Sequence, residues 1–185
     1  MTGKKWKVFV AASVFSACML TGCSTLILDG TKALEAGKYE DAEALFSEAS
    51  QSEDAKMKAK AYRGLGLAYY EEERYAMAAD AFRSALDNGI DKTAELYNML
   101  GVCTMQAGDF KGALEYFGEG LALAESEEEK NSADPEMIRE MKYNEIICCE
   151  KTADWELAKE KIAEYVEAYP DDESAKKEAE FLKTR

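Results

Sequence analysis

Histidine is missing from this chain altogether. Without it neither a Ser-His-Asp nor a Cys-His arrangement can be assembled, and no metal can be held through imidazole. A phosphate-cradling glycine loop is missing too. Gly64 and Gly66 stand inside a helical pattern and are not followed by Lys-Ser or Lys-Thr. Basic residues are scarce, 23 against 37 acidic, for a net charge of −14. A phosphate backbone has to be neutralised by Lys and Arg, so nucleic acid is a poor partner for this chain. A basic protein is a better one, because attraction speeds its association. The longest uncharged apolar run, residues 8–20, has 13 residues; a membrane-spanning helix needs roughly 18. Carboxylates are plentiful, but spacing sets none apart. Asp171-Asp172-Glu173 lacks the ligand pattern of a calcium loop and reads as a helix cap. The composition therefore argues against an enzyme and predicts no cofactor and no metal.

Cysteine is present but poorly arranged for bridges or zinc. Cys103, Cys148 and Cys149 follow Cys18 and Cys23. Three late thiols are an odd number, and Cys148 and Cys149 are adjacent, which suits neither a disulfide framework nor a structural metal site. Their neighbours Val102, Met105, Ile146 and Ile147 are apolar. They are expected to pack as small hydrophobes.

What the chain does have is one ten-residue window written four times: GKYEDAEALF (37–46), ERYAMAADAF (73–82), GDFKGALEYF (108–117) and ADWELAKEKI (153–162). Each carries an aromatic at its third place, Ala at its sixth and a large apolar residue at its tenth. On a helix the Ala and the large residue, four apart, stack on one face, and the aromatic joins them. The small residue lets a second helix approach closely. Gly37 and Gly108 open two of the windows, where a tight turn tolerates positive φ. A second amphipathic stretch precedes each window. Leu65-Gly66 and Leu100-Gly101 repeat one another within these stretches. Each unit is thus a helix A, a tight turn and a helix B. Self-similarity at a fixed period marks a repeat architecture.

These residues resemble the tetratricopeptide repeat, whose pattern is Leu-Gly and an aromatic in helix A, then Gly, aromatic, Ala, large apolar and Ala in helix B. The second unit matches through Leu65, Gly66, Tyr69, Tyr75, Ala78, Phe82 and Ala85, and the third through Leu100, Gly101, Gly108, Phe110, Ala113 and Phe117. The first has Gly30, Gly37, Tyr39, Ala42, Phe46 and Ala49 without the Leu. The fourth has Trp155, Ala158, Ile162 and Pro170, and its helix A reads as about one residue out of register. The resemblance implies an all-α fold, a right-handed α-solenoid of about four units at 23–56, 59–92, 94–127 and 139–170, closed by a capping helix at 172–183. The run from Glu125 to Asp134 lengthens the third spacing and is expected to extend helices into water.

Residues 1–22 stand apart from the 23–185 repeat domain. Lys4, Lys5 and Lys7, a short apolar run and small residues at its end describe a secretory signal. Leu20-Thr21-Gly22-Cys23 resembles the bacterial lipobox, which implies cleavage before Cys23, acylation of its sulfur and attachment to a membrane. Stable anchoring takes more than one acyl chain, as that modification supplies. Removing the three lysines of the signal leaves 20 basic and 37 acidic residues, a net −17. The expected location is extracytoplasmic: the plasma membrane of a Gram-positive cell, or the outer membrane of a Gram-negative one, where Ser24 in place of Asp favours export outward. No long linker separates Cys23 from the first helical pattern. The first repeat is therefore expected close to the lipid headgroups.

In tetratricopeptide proteins helix A side chains line a concave groove. The resemblance places Lys60, Arg63, Leu67 and Tyr70 there from the second unit and Asn98, Val102, Met105 and Gln106 from the third. Tyr143, Asn144 and Ile147 are the nearest residues of the fourth. The amides Asn98 and Asn144 both donate and accept, as a peptide backbone requires. The implied function is an envelope adaptor or scaffold that holds a protein or peptide, as similar lipoproteins do in outer-membrane protein assembly and pilus biogenesis. Two other classes compete with it, a self-associating structural protein and a hydrolase working through carboxylates in a closed pocket.

Overall fold

The computed structural model describes residues 11–126 and 133–185, with side chains from residue 22 onward. The basic start of the signal, the side chains of its apolar run and residues 127–132 of the charged insertion lie outside the described residues. Among the described residues the elements are α1 (Ala11–Glu35), α2 (Tyr39–Ala49), α3 (Ala55–Glu71), α4 (Tyr75–Asp87), α5 (Ala94–Gln106), α6 (Phe110–Ala124), α7 (Pro135–Lys151), α8 (Trp155–Ala168) and α9 (Glu173–Leu182), with no strand. The chain divides into two compact units. The first ends at Asp91 and holds α1–α4; the second, Lys92–Arg185, holds α5–α9.

The windows become α2, α4, α6 and α8, each beginning on its aromatic: Tyr39, Tyr75, Phe110 and Trp155. Short acceptor side chains start most of the helices. Asp109 accepts from the Gly112 N–H and Asp154 from the Leu157 N–H, while Asp54 serves Lys56 and Met57. Asp134 caps α7 with Pro135 in its first turn, and Asp172 accepts from Ser174 and Ala175 at the head of α9. Each satisfies a backbone N–H that the first turn leaves without an intrahelical partner.

All four A–B turns are built alike. The residue opening each window is left-handed: Gly37 (φ 70°), Glu73 (φ 57°), Gly108 (φ 90°) and Ala153 (φ 57°). In the first turn the Gly37 N–H donates to Leu34 O and the Lys38 N–H to Ala33 O; Ala153 and Asp154 donate likewise to Glu150 O and Cys149 O. This is the Schellman closure, in which a left-handed residue after the helix recovers the last free carbonyls. Glycine was expected at Gly37 and Gly108; Glu73 and Ala153 hold the same conformation without glycine's freedom.

The core follows from the windows. Ala42, Ala78, Ala113 and Ala158 are fully buried, beside Phe46, Phe82, Phe117 and Ile162. Glycine in helix A makes room for the ring. A Cβ added at Gly66 would lie 2.5 Å from Phe82, and one at Gly101 2.6 Å from Phe117. Gly30 meets Phe46 in the first pair at 2.9 Å. In each unit the A helices also touch one another, α1 with α3 and α5 with α7.

The fourth pair corrects the sequence reading. Counted back from its aromatic, the Leu-Gly place is Glu145-Ile146, ten residues before Trp155 just as Leu65 stands ten before Tyr75. The pair is in register; its residues have changed. Ile146 and Ile162, both buried in one cluster, replace the Gly–Phe contact with two medium side chains. Buried Glu145 replaces the leucine and accepts from Lys161 Nζ at 2.7 Å. Lys161 holds the place of Ala81, which packs with Leu65 in the second pair.

α1 runs unbroken from Ala11 through Cys23 to Glu35, and Ile27, Ala33 and Leu34 pack against the first core cluster. No helix among the described residues is long and apolar enough to cross a membrane. Cys103, Cys148 and Cys149 are fully buried free thiols. Burial pushes them up to about 12, 12 and 11, so they stay protonated and unreactive.

Candidate functional site

The second unit contains a cleft of about 650 Å³. Its walls come from the A helices of two repeats and from the capping helix. α5 supplies Val102, Met105 and Gln106, α7 supplies Glu136, Arg139, Glu140, Tyr143 and Asn144, and the start of α9 adds Asp172 and Ser174, with Tyr165 of α8 behind them. The helix A faces therefore make the concavity, because helix B is occupied with the core.

One hydrogen-bonded network holds this surface in shape. Arg139 Nη2 donates to Asp172 Oδ2 at 2.9 Å, and Arg139 Nε donates to Tyr165 Oη at 3.0 Å. Tyr165 Oη in turn donates to Asp172 Oδ2 at 3.0 Å. Asp172 also caps α9, and the Ala175 N–H with Arg139 holds its carboxyl down to about 2. Arg139 is driven above its ordinary value by hydrogen bonds to Tyr165 and Asp172. The network joins α7, α8 and α9. Tyr143 stacks obliquely on Tyr165 with ring centres 5.3 Å apart, and Tyr165 on Tyr169 at 4.8 Å. Burial, and then the charges of Glu178, Asp172 and Glu150, raise the Tyr143 phenol.

Of the residues expected to line a groove, Val102, Met105, Gln106, Tyr143 and Asn144 come together in this cleft. Asn98 and Ile147 lie on the same helices, half-buried, outside the lining. The Asn98 Oδ1 is buried and has no hydrogen-bond partner. Lys60, Arg63, Leu67 and Tyr70 belong to α3 of the other unit; Lys60 and Arg63 are exposed, and Tyr70 meets Tyr75 edge-on at 5.9 Å. Arg139, Tyr165, Asp172, Glu136, Glu140 and Ser174 were not anticipated. Glu140 was accessible to a stricter count, since it stands thirteen residues before its left-handed turn residue, as Lys60 does before Glu73. The Arg139–Asp172 bond joins residues 33 apart and has no local signal.

No three His, Cys, Asp or Glu side chains among the described residues converge as a metal site. Fold and cleft together define a protein of tandem antiparallel helix pairs that presents an inner helix face, the architecture of a binding scaffold. The tetratricopeptide repeat family profile matches residues 29–92 and 78–128, and the chain belongs to that family. Solved structures agree on the fold. YrrB, described as a tetratricopeptide protein with an unusual peptide-binding site, is 24% identical, with 85% of this chain and 74% of that one covered and a TM-score of 0.68. The MamA RS-1 ArsTM double mutant is 15% identical over 89% of this chain and 84% of its own, with a TM-score of 0.68. PilF of Pseudomonas aeruginosa is 18% identical over 89% and 68%, with a TM-score of 0.57. No curated protein matches the sequence significantly.

Proposed function

We propose that the chain is an extracytoplasmic lipoprotein adaptor, held to a bacterial membrane through acylated Cys23, that binds a protein or peptide segment along its helix A faces. The observation that carries the binding half is the second-unit cleft, where apolar Val102 and Met105, the Tyr143 ring and the amides of Gln106 and Asn144 share one concave surface. Apolar and ring surface beside groups that both donate and accept suits a peptide, which presents side chains and backbone together. The peptide-binding site described for YrrB supports the same reading.

The anchoring half rests on Leu20-Thr21-Gly22-Cys23. Cleavage there would leave Cys23 at the head of the remaining α1. Ile27, already packed in the core, follows four residues later, about 6 Å of helix. The body of the first unit would then lie against the headgroups without a long tether. The test is Cys23→Ala in the native host, with acyl labelling and fractionation. The wild-type chain is expected in the membrane fraction with label, and the variant without label and released. Label retained on Cys23→Ala overturns the anchor.

A further inference from the structure

The α7 wall of the second-unit cleft continues past the lining residues. Glu140, Tyr143, Ile147 and Glu150 recur at helical spacing on one face. Glu150 holds the place in its repeat that Met105, a cleft residue, holds in the repeat before, three residues ahead of the left-handed turn. α9 extends the facing wall in the same way, with Ser174 of the cleft followed one turn later by Glu178.

At that end two carboxyls meet. Burial, and then the charge and hydrogen bond of Glu178, raise Glu150 to about 7, and Lys151 on the same helix offsets only part of this. The charges of both acids also act on Tyr143. The Glu150 Oε1 is sealed from solvent and has no hydrogen-bond partner. Nearer the cleft's centre Glu136 and Glu140 add further acids, while Arg139 is the one basic residue of the lining and is already bound to Asp172 and Glu136. The surface therefore carries acid in excess, one unpartnered buried acceptor, ring faces at Tyr143 and Tyr165, and an apolar strip at Val102 and Met105. It lacks a cation.

We infer that the cleft takes a lysine- or arginine-bearing segment of a protein partner, its aliphatic stem along Val102 and Met105 and its charged head among Glu140, Tyr143 and the Glu150–Glu178 pair. This rests on the reading of the cleft as the peptide-binding surface. A long basic side chain is what such a mixture fits, since its stem is apolar and its head takes both carboxylates and aromatic faces. A bare metal ion fits less well, because the acids do not converge on one point among the described residues. An acidic segment or a nucleic acid would meet repulsion. The net charge of −14 adds long-range attraction for the basic segment.

The test is calorimetric titration of the full chain with three synthetic peptides of equal length, identical except that the variable positions are lysine, serine or glutamate. The lysine peptide is expected to bind about tenfold or more tightly than the serine peptide, with affinity that falls as salt rises. Its binding should weaken as pH drops below about 7, where Glu150 holds a proton that must leave before the cation enters. Glu150→Gln combined with Glu178→Gln removes a repulsion and so keeps the fold. It should erase the lysine preference and the pH dependence. If the serine peptide binds as tightly as the lysine peptide, or the double variant keeps its full preference, the basic occupant is wrong while the cleft remains a peptide site. If no peptide binds, both readings fall.

Discussion

Glu145 is the residue at which this repeat array departs furthest from its own pattern. A leucine place in the core holds a carboxylate, with only 9% of its side chain exposed, and Lys161 answers it from α8 at 2.7 Å. A buried ion pair is a weak source of net stability, because desolvating both charges costs about what their attraction returns; removing one partner alone costs on the order of 3–5 kcal/mol. Lys161→Met is therefore expected to lower the unfolding midpoint sharply. Glu145→Leu combined with Lys161→Ala, which restores the Leu65 and Ala81 arrangement, should recover it. Thermal unfolding of the single and double variants checks both, and equal loss in the two would refute the pairing. The residues that sequence reading found easily are those whose partners lie on the same helix, such as Ala42 with Phe46 or Ala78 with Phe82. Glu145-Ile146 escaped because it was sought by residue type, and the structure keeps the place while changing the chemistry. Counting from the turn finds it.

Among the elements, α9 has the most to reveal. It is pinned at its start and loaded further along. Asp172, held down to about 2, ties its first turn to Arg139 and Tyr165, whereas Glu178 faces Glu150, raised to about 7. The two act in opposite pH windows. Because Glu150 keeps a proton that the unfolded chain gives up near the ordinary carboxylate range, its contribution is greatest below that range and is lost as pH rises through about 7. Asp172 contributes above the ordinary carboxylate range, and that contribution is lost as pH falls towards about 2. Stability of the second unit is thus expected to decline between mildly acidic and mildly alkaline pH. Glu150→Gln should flatten that decline and raise the unfolding midpoint at the alkaline end. Unfolding midpoints across pH for wild type and variant measure it, and parallel curves would contradict it. The capping helix itself was legible from Pro170, Asp172 and its few inward apolar residues, among them Ala175 and Leu182. The network that fastens it was not, because Arg139, Tyr165 and Asp172 meet only once α7, α8 and α9 have packed. The register of helix B was legible throughout for a local reason: a ring, a small residue and a large one must share one face wherever a second helix comes close.

For the whole molecule, the windows that announce the fold carry none of its specificity. Their aromatics, alanines and phenylalanines are spent on packing; in the proposed function it is the helix A faces that meet a partner and Cys23 that fixes where. The chain belongs to the tetratricopeptide repeat family, whose members are typically protein-binding scaffolds. The measurement that tests this most directly is photocrosslinking in native membranes, with the reactive group placed either at Tyr143 in the cleft or at exposed Glu160 on α8. The account predicts a discrete protein adduct from the Tyr143 position, found in the membrane fraction and suppressed by excess lysine peptide, and no such adduct from Glu160. The same adduct from both positions, or one from Glu160 alone, would contradict it.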